Sequence, residues 1–153
     1  MTKTIFGLLL AVVGAGAFAL TSFAGNAGAS PRSGELHVAK ECTDYHGFAG
    51  EHCTIRWSSV NAIKGGSNVV YAEDVDFSSL TLDSDLVIDG PGDNTAFGHV
   101  VLNLRTRSGS ITFSGGTGVF SGFQASVAVT YNSDEGLWHW DGTYSFTPSG
   151  HDD

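Results

Sequence analysis

The sequence predicts an all-β protein, an eight-stranded antiparallel β-barrel preceded by a cleavable signal peptide. Three observations carry that expectation. Apolar and polar residues alternate along the chain from residue 35 to residue 146, and no 11-residue window has convincing helical periodicity. Clusters rich in Gly, Asn, Asp and Ser punctuate the alternating runs where turns are needed. Residues 1–29 have the composition of an export leader.

The leader begins Met1-Thr2-Lys3-Thr4, and Lys3 is the sole charge before Arg32. An apolar and small-residue run from Ile5 to Leu20 follows, and Ala27-x-Ala29 fits a small-residue cleavage site before Ser30. The run approaches the length of a membrane span. Its Gly and Ala content and the cleavage site after it favour removal over anchoring. No cysteine stands between the run and Glu41 to carry a lipid. Secretion or a periplasmic location is the expected destination. The expected domains are the leader (1–29), one β-barrel domain (30–146) and a disordered tail (147–153).

The strands read in order. Leu36 and Val38 alternate with Glu35, His37 and Lys40. Cys53, Ile55 and Trp57 alternate with Thr54 and Arg56. Val69, Tyr71, Val75 and Phe77 share one parity in a third strand, with Glu73 among them. Leu80, Leu82, Leu86 and Ile88 share a face in a fourth, opposite Asp83, Asp85 and Asp89. After the turn Gly90–Asn94, a fifth strand runs from Phe97 to Arg105, with Val100 and Leu102 opposite His99 and Asn103. A short sixth, Ser110 to Phe113, ends at the Gly-rich piece Ser114–Gly118. A seventh runs from Phe123 to Tyr131. The eighth carries Trp138, Trp140, Tyr144 and Phe146 on one parity, with His139, Asp141, Thr143 and Ser145 on the other. Eight such strands suit a barrel or a sandwich, and closure removes the exposed edges a secreted β protein must manage.

Removing the leader takes Lys3 and no acid, leaving six Lys and Arg against 16 Asp and Glu, a formal charge of −10 over about 124 residues. That length suits one domain with a real core. That charge opposes nucleic acid or anionic lipid as a partner, since both require basic patches. Cys42 and Cys53 are the two cysteines. In an exported chain they are expected to form a disulfide, worth about 3 kcal/mol in the chain-entropy picture.

The segment Phe113-Ser114-Gly115-Gly116-Thr117-Gly118-Val119-Phe120-Ser121-Gly122-Phe123 resembles the GGTG-x-F corner of the allene oxide cyclase and dirigent barrel superfamily. The likeness in order and content extends over roughly Leu80 to Phe146. It implies a barrel with an apolar interior, in a superfamily whose members cyclise an oxylipin epoxide or steer phenol coupling and often form dimers or trimers. Beyond the corner no residue matches their cavity polar groups one for one, and the Cys42–Cys53 region has no counterpart there. No activity is carried over, because fold alone does not fix function. A phosphate-cradling role for the glycines is disfavoured, since neither a Lys nor a helix follows them.

Four constellations could carry chemistry. Cys42, His46, His52 and Cys53 have metal-ligating side chains, but their spacing fits no familiar zinc site, and pairing of the cysteines is the simpler expectation. Asp83, Asp85, Asp89 and Asp93 could attract calcium. Residues two apart on a strand are about 6.6 Å apart, however, and the row looks like a solvent face. His99 and Arg105, with Asn103, His139 and Asp141, are candidate catalytic groups if their face turns inward, and Glu73, on the apolar parity between Tyr71 and Val75, is a further one unless a bulge flips the register there. Trp57, Tyr71, Trp138, Trp140 and Tyr144 form a candidate wall for a ligand, with core packing as the alternative. No metal ligand set or cofactor is expected. The expected function is a secreted barrel holding a small apolar molecule. A cyclase or isomerase working in the cavity, and a structural protein with a filled barrel, are the alternatives. A homo-oligomer is plausible; nucleic acid and, once the leader is cut, membrane are not expected as partners.

Overall fold

The computed structural model describes residues 32–148, and the leader with its cleavage site lies outside them. Eight strands form a closed barrel in chain order: β1 (Ser33–Glu41), β2 (His52–Ser58), β3 (Asn68–Tyr71), β4 (Thr81–Asp89), β5 (Thr95–Asn103), β6 (Ser108–Gly116), β7 (Phe123–Asn132) and β8 (Leu137–Phe146). Every neighbouring pair is antiparallel. β8 returns to β1 in a register running from Ser33↔Ser145 to Lys40↔Trp138, which closes the sheet and leaves no open edge. The Cys42–Cys53 disulfide ties the β1–β2 loop at 2.04 Å.

The period-two alternation sets the inside. Leu36, Val38, Ile55, Val69, Leu82, Leu86, Ile88, Val100, Ile111, Val127 and Trp140 are all 2 % exposed or less and form one core cluster. A column of rings continues it toward one mouth of the barrel. Trp140 meets Phe113 at 5.7 Å, Phe113 meets Phe123 at 5.5 Å, and Phe123 meets Phe120 at 5.5 Å. Phe120 sits on a single 3-10 turn, Gly118–Phe120, that plugs this mouth.

The Gly-rich piece does not interrupt β6, which runs on through Gly116. A bulge between Phe97 and Gly98 of β5 absorbs the extra residue, Ser114. Gly118 needs its positive φ of 58°, and a side chain there would collide with Asn94. At Gly116 a Cβ would press on the Thr95 carbonyl and on Phe120, so glycine allows the plug to seat.

Three further parts of the strand reading change. Lys40, grouped with the polar Glu35 and His37, shares the inward parity of Leu36 and Val38 and is 4 % exposed. Trp57 leaves the face of Cys53 and Ile55 because β2 is bulged. Ala39 pairs with Trp57 while Lys40 pairs with Ile55, so Arg56 is the extra residue and Trp57 turns outward. The third strand ends at Tyr71 rather than running to Phe77. The buried Ser84 hydroxyl accepts the N–H groups of Ala72 and Glu73, at 3.1 Å each, and bends the chain away. Thr147, expected in the tail, donates its N–H and its hydroxyl to the Gly122 carbonyl, both at 2.9 Å; residues 149–153 lie outside the described part.

Candidate functional site

The mouth opposite the Phe120 plug holds an amine. β1 aims Lys40 inward between Trp138 of β8 and Ile55 of β2, its cross-strand partners. Lys40 Nζ donates to the Tyr71 hydroxyl at 2.6 Å. It lies 5.3 Å from the centre of the Tyr71 ring, 5.8 Å from that of Trp138 and 5.7 Å from that of Trp140. Cys42 Sγ, half of the disulfide, is 3.4 Å away. Among the described residues no carboxylate forms an ion pair with this amine. Burial without a counter-charge disfavours the ammonium form and lowers the Lys40 pKa to about 7. The facing rings oppose that shift by attracting a cation, but they do not replace its hydration.

Two polar atoms in the surroundings lack partners among the described residues. Tyr45 packs on Tyr71 with ring centres 4.7 Å apart. Burial, followed by the charges of Glu51 and Asp74, raises its phenol to about 12. Burial raises the Tyr71 phenol further still, with Tyr45 adding to it, so both remain protonated at any physiological pH. The Tyr45 hydroxyl and the Trp140 Nε1 are buried without a hydrogen-bond partner among the described residues. Such groups ordinarily find one.

The expected aromatic wall divides. Tyr71, Trp138 and Trp140 converge on Lys40. Tyr144 lies toward the plugged mouth, against Phe146 at 5.9 Å. Trp57 is outside, 56 % exposed. The candidate catalytic groups Glu73, His99 and Arg105 do not enter the barrel. His99 lies on the outer wall between two acids of β4, its Nδ1 2.8 Å from Asp85 and its Nε2 2.6 Å from Asp83. Those hydrogen bonds raise its pKa. Glu73 is exposed and accepts the Asp85 N–H at 2.8 Å, so the fold does bring it to the same aspartate as His99. Arg105 lies apart, in the exposed β5–β6 turn.

The disulfide engages both thiols of the Cys42, His46, His52, Cys53 set, and His46 turns to Glu51 at 3.2 Å. Among the described residues no group of three or more His, Cys, Asp and Glu is arranged to hold a metal ion. A shallow groove of about 380 Å³ on the wall of β6–β8 includes Thr112, Gln124, Ser126, Thr143 and Ser145, hydroxyl and amide groups without charge.

Sequence reasoning missed Lys40. The signal was present, because Lys40 is two and four residues from Val38 and Leu36 and so falls on their face of β1. Only Lys64 accompanies it as a lysine beyond the leader.

Fold and site together define a class: a small closed antiparallel barrel, filled by aromatics at one mouth and holding a buried amine beside a disulfide at the other. No protein-family model, no curated protein and no solved structure matches the chain, so that class rests on its own geometry.

Proposed function

We propose that this protein is an exported barrel that binds a small, largely apolar molecule at the Lys40 mouth, and that it is a distant member of the allene oxide cyclase and dirigent superfamily. The observation that carries the binding reading is the buried, unpaired Lys40 under Tyr71, Trp138 and Trp140. A protein built only for stability gains little from a desolvated amine there, whereas a site needs apolar walls with a few polar groups to orient a ligand. The Gly-rich corner from Phe113 to Phe123, in a closed eight-stranded barrel, supports the kinship. The disulfide is compatible with an oxidising, extracellular compartment, and with the leader-like residues 1–29 it supports export with cleavage before Ser30.

A second reading has its own observation. The rings from Trp140 to Phe120 fill much of the interior, as a purely structural or interaction barrel would require. Native mass spectrometry of the protein from its own source, with tryptophan fluorescence during titration with phenolics and fatty acids, separates the two. Extra mass lost on denaturation, and a fluorescence change that Lys40→Met abolishes, is the expected result. A bare native mass with flat titrations would transfer the assignment to the structural barrel.

A further inference from the structure

Four features meet at the Lys40 mouth that a non-covalent apolar pocket does not require. The amine is enclosed by rings, and no carboxylate pairs with it among the described residues. A phenol that stays protonated is hydrogen-bonded to it at 2.6 Å. Two further buried polar atoms, Tyr45 Oη and Trp140 Nε1, are without a partner on the adjoining rings. Lastly, the amine lies beside the half-buried Cys42, at the loop-covered mouth rather than in mid-barrel. An anionic ligand would need a charged lysine, and the surroundings oppose that charge. A neutral amine in a buried aromatic site is instead a nucleophile, the usual way a lysine is prepared to react with a carbonyl group.

We infer that the Lys40 mouth is a covalent capture site for small apolar aldehydes or ketones, which it holds as an imine on Lys40 Nζ with Tyr71 managing the proton. This inference rests on the apolar-ligand reading above and names the ligand's reactive group. The step balances without any oxidant or reductant. Lys40 Nζ adds to the carbonyl carbon, forming a C–N bond, while the carbonyl π pair moves to oxygen. That oxygen takes a proton, with the Tyr71 hydroxyl placed to hand it over and regain one from nitrogen. The carbinolamine hydroxyl then takes a second proton from the Tyr71 hydroxyl and leaves as water while the nitrogen lone pair closes the C=N bond, and the last N–H proton returns to the Tyr71 oxygen. Amine plus carbonyl gives imine plus water, reversibly. The rings of Trp138 and Trp140 would cover the apolar body of the captured molecule. Trp140 Nε1 and Tyr45 Oη are donors for a second oxygen on it.

The test is reductive trapping on the intact, disulfide-bonded protein. Benzaldehyde is added with cyanoborohydride at pH 7, and the alkylated residues are located by peptide mapping. Lys64, exposed and unburdened by burial, is the internal standard. A trapped adduct on Lys40, forming about tenfold or more faster than on Lys64, is the expected result, because burial favours the neutral, nucleophilic form of the Lys40 amine and Tyr71 is placed to move the proton. Lys40→Met should remove that adduct and leave the slow Lys64 reaction. Tyr71→Phe, checked for an unchanged near-ultraviolet circular dichroism spectrum, should slow Lys40 trapping by about tenfold or more. Labelling of Lys64 with Lys40 untouched would overturn the inference. Benzyl alcohol, which cannot form an imine, then tells which claim failed. If it still perturbs tryptophan fluorescence in a Lys40-dependent way, apolar binding stands and only the carbonyl chemistry falls. If it does not, both fall.

Discussion

The two mouths of this barrel are closed by opposite means. At one, Phe120 on its 3-10 turn seats against Phe123, with glycine at 116 leaving room for the ring and glycine at 118 clearing Asn94 beside the turn. The rings of Phe113, Phe120 and Phe123 buried there are apolar and gain from leaving water. At the other, the chain buries an amine and two phenols and holds the loop above them with a disulfide. Burial contributes stability at the plug and opposes it at Lys40. The plug thus reads as the part that holds the fold, and the Lys40 mouth as the part for which stability is given up.

The pH dependence of stability is the widest test of that contrast. Lys40 titrates near 7 when folded and near 10.5 when unfolded. Between those values the unfolded chain binds more protons, so stability rises with pH across this window, by at most about 5 kcal/mol from this group. Tyr45 and Tyr71 act with the opposite sign above pH 10, where the unfolded phenols ionise and the folded ones do not. Urea unfolding followed from pH 6 to pH 11 should therefore show a maximum between about pH 9 and 10. A flat profile from pH 7 to pH 9.5 would mean that Lys40 is solvated.

Phe120→Ala should cost about 3–5 kcal/mol and do so equally at pH 6 and pH 9.5, since the ring it packs on, Phe123, does not titrate. Replacing both cysteines by alanine should cost about 3 kcal/mol, read as a lower urea midpoint with an unchanged barrel circular dichroism spectrum. Lys40→Met should change sign with pH. At pH 6 it should stabilise by about 2 kcal/mol by removing a buried charge; at pH 9.5 it should destabilise by about 1 kcal/mol by leaving the Tyr71 hydroxyl alone. The same sign at both pH values would erase the difference between the mouths.

The smallest effect belongs to the wall. The acids flanking His99 raise its pKa, so its contribution is fully present below the unfolded value near 6.5 and fades as pH rises through the folded one. His99→Gln should therefore lower stability slightly at pH 5.5 and not at pH 8.5, by urea unfolding. It marks what an exposed ion pair does, against which the Lys40 effect is measured.

Much of the fold was legible because strand parity is a strict period of two. The inward set on β4, β5, β7 and β8 follows directly from Leu82–Ile88, Val100–Leu102, Phe123–Val129 and Trp138–Phe146. Asp83 and Asp85 fall on the solvent face, as their alternation with Leu82 and Leu86 indicates. Where parity broke, the cause lay in a distant strand. Trp57 faces outward because of a bulge against β1, and Glu73 leaves the sheet because a buried serine on β4 takes its N–H. Of the site, three aromatics were visible in advance; the amine they surround was overlooked among the charged residues.

The sequence alone determined the all-β class, the number of strands, the cysteine pair and the Gly-rich corner, because each depends on local alternation or on the conformational freedom of a few neighbouring residues. Tertiary structure decided that the sheet closes β8 onto β1, that Phe120 takes one mouth, and that Lys40 meets Tyr71 at the other. The β1–β8 register joins residues about 100 positions apart and the Lys40–Tyr71 bond residues 31 apart, and the desolvation that prepares the Lys40 amine exists only once both have formed.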